Sequence, residues 1–323
     1  MKHLTLTRTD VRDVYRILLG REPESEAVID QQIAGFADLS ALRKAVLQSP
    51  EFRDAATLEP GFSEVVSAGY WNPGSPIEYT VTADVEKRMS DRIAKEWGKL
   101  GEVDPYWSVL SHEDFRAERL DDAVIASFRQ TGAASADLID AHAKRADRPT
   151  PGGVCLELGC GVGRITRRLA ERFDQVIAVD ISAGNLELCR RYMEEEGVTN
   201  VRTVLISDVK ELSSLPQFDY FFSVIVLQHN PPPVQHRMLR ILFEKLRPGG
   251  ACLFQTAADW PGYSFDAKAY LSTEPAGIEV HALPMPVVLR LMQEAGLMVD
   301  GVRMDPWLHF YGSYTFSGYR PAA

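Results

Sequence analysis

Cysteine is scarce in this chain: four in 323 residues, at positions 155, 160, 189 and 252. None sits in a C-x-x-C pair or beside a histidine, which argues against a zinc site. Cys155, Cys189 and Cys252 fall in apolar patterns and read as small core residues. A chain of this length buries enough surface to hold a core without disulfides. Basic residues are in the minority, 35 Lys and Arg against 45 Asp and Glu, for a net charge of −10. So acidic a surface is a poor partner for a phosphate backbone, and nucleic acid is not expected as the main ligand. No apolar run approaches the roughly 20 residues of a membrane span, and the first residues show no apolar signal core. The expectation is a cytoplasmic chain with no integral membrane segment. Internal repeats and low-complexity stretches are absent too.

What is present falls into three regimes. Residues 1–56 have helical periodicity, with Val11, Val14, Tyr15, Leu18 and Leu19 on one face before Gly20. Leu39, Leu42, Val46 and Leu47 make a second face that Ser49-Pro50 ends. Residues 57–150 begin with the Pro/Gly string at 71–76 and continue as charged helices. Trp97 and the segment Asp104-Pro105-Tyr106-Trp107 stand out there, either as an aromatic anchor on the next domain or as the lid of a ligand site. Pro149 to Gly153 is the expected junction. Residues 151–323 alternate strand and helix. Strands are expected at 154–158, 176–179, 201–206, 220–227, 251–255 and 310–319, with helices at 183–196, 234–246 and 285–295. Ser182 is the expected N-cap of the first of these helices. This alternation calls for a Rossmann-like, doubly wound, mostly parallel α/β sheet of seven strands carrying an N-terminal helical extension.

The first strand runs into Glu157-Leu-Gly159-Cys160-Gly161-Val-Gly163-Arg164. Glycines let a backbone turn tightly and approach a ligand closely. The dinucleotide pattern would put its third glycine at 164, and no P-loop lysine follows, so a pyrophosphate ligand is disfavoured. Arg164 itself reads as a surface or helix residue rather than a carboxylate clamp. Asp180 ends the second strand, Asp208-Val209 closes the third, and Leu246-Arg-Pro-Gly-Gly250 precedes the fifth. With these four elements in order, residues 154–255 resemble class I S-adenosylmethionine-dependent methyltransferases. The resemblance implies S-adenosylmethionine as cofactor. Glu157 would face its amino group, and Gly159, Cys160, Gly161 and Gly163 would form the turn beneath it. Asp180 and Ile181 would lie at the ribose, Asp208 and Val209 at the adenine, and Leu227 along the wall. Each carboxylate also has a plain reading, as a helix cap or a solvated strand end.

Methyl transfer to a hydroxyl needs alignment and a proton acceptor. The loop after the fourth strand, Val226-Leu-Gln-His229-Asn230-Pro-Pro-Pro233, offers His229, whose pKa range suits that task. It is read as base or acceptor-orienting residue, or else as a histidine capping the loop. The Asn-Pro-Pro string lacks the aromatic fourth residue of amino-methyltransferases, since Pro233 stands there, which disfavours a nucleobase acceptor. His281, in Glu279-Val-His281-Ala-Leu-Pro284, is a second polar candidate or a packing residue. Tyr263, Phe265 and Tyr270 suit a sugar ring and a core equally. Asp208 and Asp219 are isolated and Asp121-Asp122 lies far upstream, so no metal is expected. Residues 227–284 resemble methyltransferases of bacterial polysaccharide and glycolipid clusters. The N-terminal "YRxLLGREP … SPEF" pattern, from Tyr15 to Pro23 and Ser49 to Phe52, resembles a short bacterial helical domain of unknown function found in surface-glycan proteins.

These resemblances imply an O-methyltransferase acting on a carbohydrate or glycoconjugate precursor, with a small-molecule or glycan acceptor. The helical module would then contact a glycan-biosynthesis partner. Two alternatives stay open: a methyltransferase of a non-sugar metabolite, and a non-catalytic scaffold for glycan enzymes. Protein or nucleic-acid methylation is disfavoured.

Overall fold

The computed structural model describes residues 6–52, 77–147, 152–258, 260, 262–275, 277–307 and 312–322. The expected boundary near 56, the string at 71–76 and residues 149–151 of the expected junction lie outside the described residues.

The N-terminal helices are α1 (Arg8–Val14), continued by a π-helical turn at Tyr15–Leu19, then α2 (Glu26–Gly35) and α3 (Leu39–Leu47). Thr7 and Asp10 form a reciprocal capping box at the start of α1, and Gly20 stops the turn in the left-handed conformation (φ 68°) that glycine adopts without strain. The α2 helix escaped the sequence reading because its apolar periodicity is weak and only Ile29 is buried.

The arm follows as α4 (Ala83–Val103), α5 (Pro105–Val109), α6 (Asp122–Gln130) and α7 (Gly132–Arg145). The α/β unit then runs β1 (Val154–Leu158), α8 (Thr166–Leu169), β2 (Gln175–Asp180), α9 (Ala183–Glu195), β3 (Val201–Leu205), β4 (Phe218–Ser223), α10 (Pro232–Lys245) and β5 (Leu246–Ala257). It ends with α11 (Ala267–Ser272), α12 (Met285–Glu294), β6 (Met298–Met304) and β7 (Ser313–Tyr319).

The strand order is β3-β2-β1-β4-β5-β7-β6. All pairs through β5 are parallel, and β7 runs antiparallel between β5 and β6. This is the expected seven-stranded, mostly parallel sheet with N-terminal helices. The order in which successive strands are added reverses between β1 and β4, the switch point where open α/β sheets bind ligands. Apolar runs such as Tyr220-Phe221-Phe222 are buried on both faces, as parallel strands require. Phe221, Phe254 and Phe316 stack across β4, β5 and β7 with centroids 5.7 and 5.3 Å apart.

Several boundaries differ from the sequence reading. The fourth strand ends at Ser223 rather than Leu227, because Ile225 turns to φ 60° and leaves the ladder. The last strand begins at Ser313, and 308–311 lie outside the described residues. The β6 strand carried no clear sequence signal: it is a half-buried edge strand, irregular around Val299 and Gly301. The four cysteines are free and buried.

Candidate active site

At the carboxyl ends of β1, β2 and β4 a cavity opens around the glycine turn. The amides of Gly159 and Cys160 both donate to the Val179 carbonyl, at 2.7 and 3.0 Å, and this folds the turn over the end of β2. Gly161 sits at φ 54°, and a Cβ there would stand 2.4 Å from a methyl of Val109 on α5. A side chain at Gly159 would strike Val226 at 2.2 Å. Glycine is therefore required twice, for conformation and for close approach.

Asp180 is buried and accepts from the amides of Gly161 and Ser182, each at 2.8 Å. Burial pushes its pKa up, and the backbone donors pull it back. Each oxygen keeps a lone pair for a ligand hydroxyl. Ser182 caps α9 through the Asn185 amide, as expected. Asp208 caps the 3-10 turn Val209–Ser214, with Glu211 completing a capping box, and is half-buried at the cavity wall.

Among the expected cofactor residues, Gly159, Cys160, Gly161, Asp180, Ile181, Asp208 and Val209 line this cavity. Glu157, Gly163 and Leu227 do not; they stand behind the wall. Glu157 accepts a 2.6 Å hydrogen bond from Thr166, and burial pushes its pKa up to about 7. A Cβ on Gly163 would meet the Cys189 sulfur at 2.8 Å, so this glycine serves helix packing.

Arg164 corrects the sequence reading. It is 3% exposed, not a surface residue, and it lines the cavity. Its Nη1 makes only long contacts to Ser135 (3.3 Å) and Thr131 (3.4 Å), and its Nε is buried without a partner. Burial lowers its pKa to about 10, with the Glu157 charge opposing. It is the one cationic side chain among the described residues lining the cavity. The signal was hidden because α7 buries it: Gly132 packs so close that a Cβ would lie 1.9 Å from the Arg164 carbonyl.

The arm covers this cavity. Ser90, Ile93, Trp97, Ser108 and Val109 close it from above. Gly101 lets α4 lie directly on Ser182, where a Cβ would come within 2.1 Å of the hydroxyl. Asp104 pins α5 by accepting from Arg116 (2.9 Å) and the Ala117 amide (3.0 Å), while the Arg116 guanidinium lies 3.6 Å from the Trp107 ring centroid.

Beyond β4 the backbone of Ile225 is strained, held by its amide donating to Gln255 Oε1 at 2.8 Å. Gln255 also donates to Gln228 (2.7 Å) and Ser313 (2.8 Å), and Gln235 donates to the Asn230 and His281 carbonyls. This buried amide network aims the loop that carries His229, and sequence reasoning did not find it.

His229 Nδ1 lies 2.9 Å from the Glu279 carbonyl, and the ring packs on Trp97 with centroids 5.0 Å apart. Burial lowers its pKa to about 4, which corrects the near-neutral range expected from the sequence: the ring is neutral near pH 7 but a weaker proton acceptor than a free imidazole. A second cavity adjoins the first and shares Ile93, Trp97 and His229 with it; Trp107, Tyr270 and Ile278 line its farther walls. His281 lines neither cavity. Its Nδ1 meets the Tyr263 hydroxyl at 2.9 Å, with Phe265 and Tyr270 edge-on to its ring. Tyr263 and Phe265 are thus core residues around His281, and Tyr270 reaches the second cavity. Among the described residues no His, Cys, Asp and Glu cluster suited to a metal ion occurs, and no helix is long and apolar enough to cross a membrane.

Comparison with known proteins agrees with this geometry. Residues 155–250 match the family model described as "Methyltransferase domain". Malonyl-[acyl-carrier protein] O-methyltransferase of Priestia megaterium is 33% identical over 103 residues, 31% of this chain and 35% of that protein. A ubiquinone biosynthesis O-methyltransferase of Azoarcus is 28% identical over 184 residues, 54% of this chain and 76% of that protein. The matched region spans 35 to 53% of the length of the first three curated relatives. Among solved structures, magnesium protoporphyrin IX methyltransferase of Synechocystis with bound SAH aligns at 16% identity and a TM-score of 0.49, over 71% of this chain and 98% of that one. The match to a methyltransferase domain is thus confined to residues 155–250, and the fold assignment stands on the strand order itself.

Proposed function

We propose that the chain is an S-adenosylmethionine-dependent O-methyltransferase acting on a hydroxyl of a carbohydrate or glycoconjugate precursor. The observation that carries the donor side is the presence, in one cavity, of a backbone-held Asp180 and a buried Arg164 that forms no ion pair and whose Nε has no hydrogen-bond partner. A buried guanidinium with no directly bonded anion is costly, and a ligand carboxylate would relieve that cost. Arg164 would hold the methionine carboxylate, Asp180 the ribose hydroxyls, and Asp208 with the Val209 amide the adenine edge. When bound, S-adenosylmethionine supplies a methyl group activated by a sulfonium. His229 takes the proton of the acceptor hydroxyl at Nε2, and Val109 and Trp97 keep water out.

The second cavity takes the acceptor. Trp97, Trp107 and Tyr270 offer flat faces for a ring, and Glu96, Lys99 and Glu279 offer polar groups for hydroxyls. The carbohydrate reading draws on these features and on the likeness of 227–284 to glycan-cluster enzymes. A non-sugar ring is the second reading: Leu100, Val103 and Ile278 make the cavity partly aliphatic, and the ubiquinone-pathway relatives are O-methyltransferases. The domain division at 1–56, 57–150 and 151–323 is likewise proposed, with residues 1–56 as the surface for a glycan-biosynthesis partner and α3 packed on β6.

Calorimetry tests the donor reading, using S-adenosylmethionine, S-adenosylhomocysteine and 5′-methylthioadenosine. Wild type should bind all three. Asp180→Ala should weaken all of them, on the order of 100-fold, equivalent to about 2.7 kcal/mol. Arg164→Met should weaken the two amino-acid ligands roughly 30-fold while leaving 5′-methylthioadenosine unchanged. No binding by wild type overturns the reading. Labelled methyl transfer onto sugar and phenol panels then separates the two acceptor classes.

A further inference from the structure

The lid helix α4 does more than cover the cavities, for one of its residues grips the loop behind His229. Arg92 is 11% exposed at its side chain, and its hydrogen bonds all end on residues 270–279. Nη1 donates to the carbonyls of Tyr270 and Thr273, the latter at 2.7 Å. Nη2 donates to Glu279 Oε1 at 2.7 Å, and the guanidinium lies 4.0 Å from the Tyr270 ring centroid. Glu279, so anchored, presents its backbone carbonyl to His229 Nδ1 at 2.9 Å.

We infer that Arg92 is a positioning residue that sets the tautomer of His229. The inference rests on the methyl-transfer reading, because it concerns the proton acceptor of that reaction. A carbonyl can only accept, so Nδ1 carries the ring proton and Nε2 keeps its lone pair. Gln228 Nε2, a donor, lies 3.4 Å from His229 Nε2, consistent with that lone pair. In water, neutral imidazole favours the opposite tautomer, with the proton on Nε2. A ring so protonated has no lone pair facing the acceptor and cannot take a hydroxyl proton.

The site therefore has to impose the less favoured form, and the Glu279 carbonyl does this while residues 277–279 stay docked. The groups facing the ring are Trp97 from α4, Gln228 from its own loop, and Glu279 with His281 from the loop opposite. Of these, Glu279 both faces the ring, through its carbonyl, and takes the Arg92 guanidinium of α4 on its carboxylate, while the His281 amide, donating to the Gln228 carbonyl at 2.7 Å, fixes the segment from its other end. When the lid helix is docked, the acceptor cavity is covered and the base is in its working form, so the two events are coupled through one side chain.

Nitrogen-15 NMR of histidine-labelled full-length protein tests this without any acceptor. His229→Gln assigns the resonance. Wild type should show His229 with a protonated Nδ1 and an unprotonated Nε2. Arg92→Met should move the two nitrogen shifts toward averaging or reversal, and Arg92→Lys should restore part of the wild-type pattern. With an acceptor in hand, kcat should fall roughly 30-fold in Arg92→Met while S-adenosylmethionine affinity stays within about twofold. A wild-type tautomer pattern in Arg92→Met overturns the inference, as does a loss of donor affinity equal to the loss of kcat. If that variant does not fold, Glu279→Gln serves: it keeps the carbonyl and weakens the anchor, so an unchanged pattern overturns the inference as well. Full turnover by His229→Gln would remove the base assignment alone and leave the tautomer result standing, so the two failures are distinct.

Discussion

The two cavities that meet at His229 are built by different means. The first is made of backbone: a glycine turn, the end of a parallel strand and a helix cap, all within residues 158–212 apart from the covering arm and the 224–238 wall. The second is made of side chains brought from distant parts of the chain, α4 and α5 on one side and 270–279 on the other. A cavity built from backbone tolerates little change of its glycines and fixes one ligand. A cavity built from side chains can be retuned one residue at a time. Under the proposed function, that division suits a constant donor and a variable acceptor.

The largest effect that would break the comparison comes from the turn. Gly161→Leu should abolish measurable donor binding, a loss on the order of 100-fold or more, because the new side chain meets both an unfavourable φ and Val109. Calorimetry with S-adenosylhomocysteine reads it, and retained affinity would mean that the arm does not sit where the structure has it. A smaller effect is expected from Trp107→Ala, which should raise the acceptor KM roughly tenfold and leave donor affinity unchanged. Equal loss at both ligands would show that the cavities are one site.

The smallest effect lies in pH. His229 and His236 have pKa values lowered from 6.5 to about 4 by burial, so the unfolded chain binds more protons in that interval. Their contribution to stability is present above 6.5 and is lost as pH falls towards 4. Glu157 works in the other direction. Its pKa is raised from 4.5 to about 7, so its neutral form favours folding below 4.5 and the contribution is lost as pH rises through 7. Melting temperatures between pH 4 and 8 should therefore show His236→Gln flattening the acid limb and Glu157→Gln flattening the alkaline one. An unchanged alkaline limb in Glu157→Gln would mean that its carboxyl is not desolvated as the structure implies.

The first cavity was largely legible because its parts are local. A buried strand, a glycine turn and an acidic strand end carry their own spacing, and the cap at Ser182 needs only the three residues that follow it. Where the reading went astray, a contact from elsewhere had overridden a local pattern. Ile225 has the composition of a strand residue, yet Gln255 holds it at positive φ and the strand stops. Arg164 looks like an exposed helix residue until α7 packs over it. His281 shares a polar loop signature with His229, but Tyr263, Phe265 and Tyr270 enclose it.

The sequence by itself determined the sheet class, the glycine turn with Asp180, and the loop that carries His229. Each is encoded within a short stretch, where backbone conformation follows from residue type and spacing. Only the tertiary structure decided that Arg164 faces the first cavity, that α4 and α5 cover it, and that Arg92 ties α4 to Glu279 behind His229. Those outcomes depend on which side chains meet across long separations in the chain, and no periodicity within one segment records such a meeting.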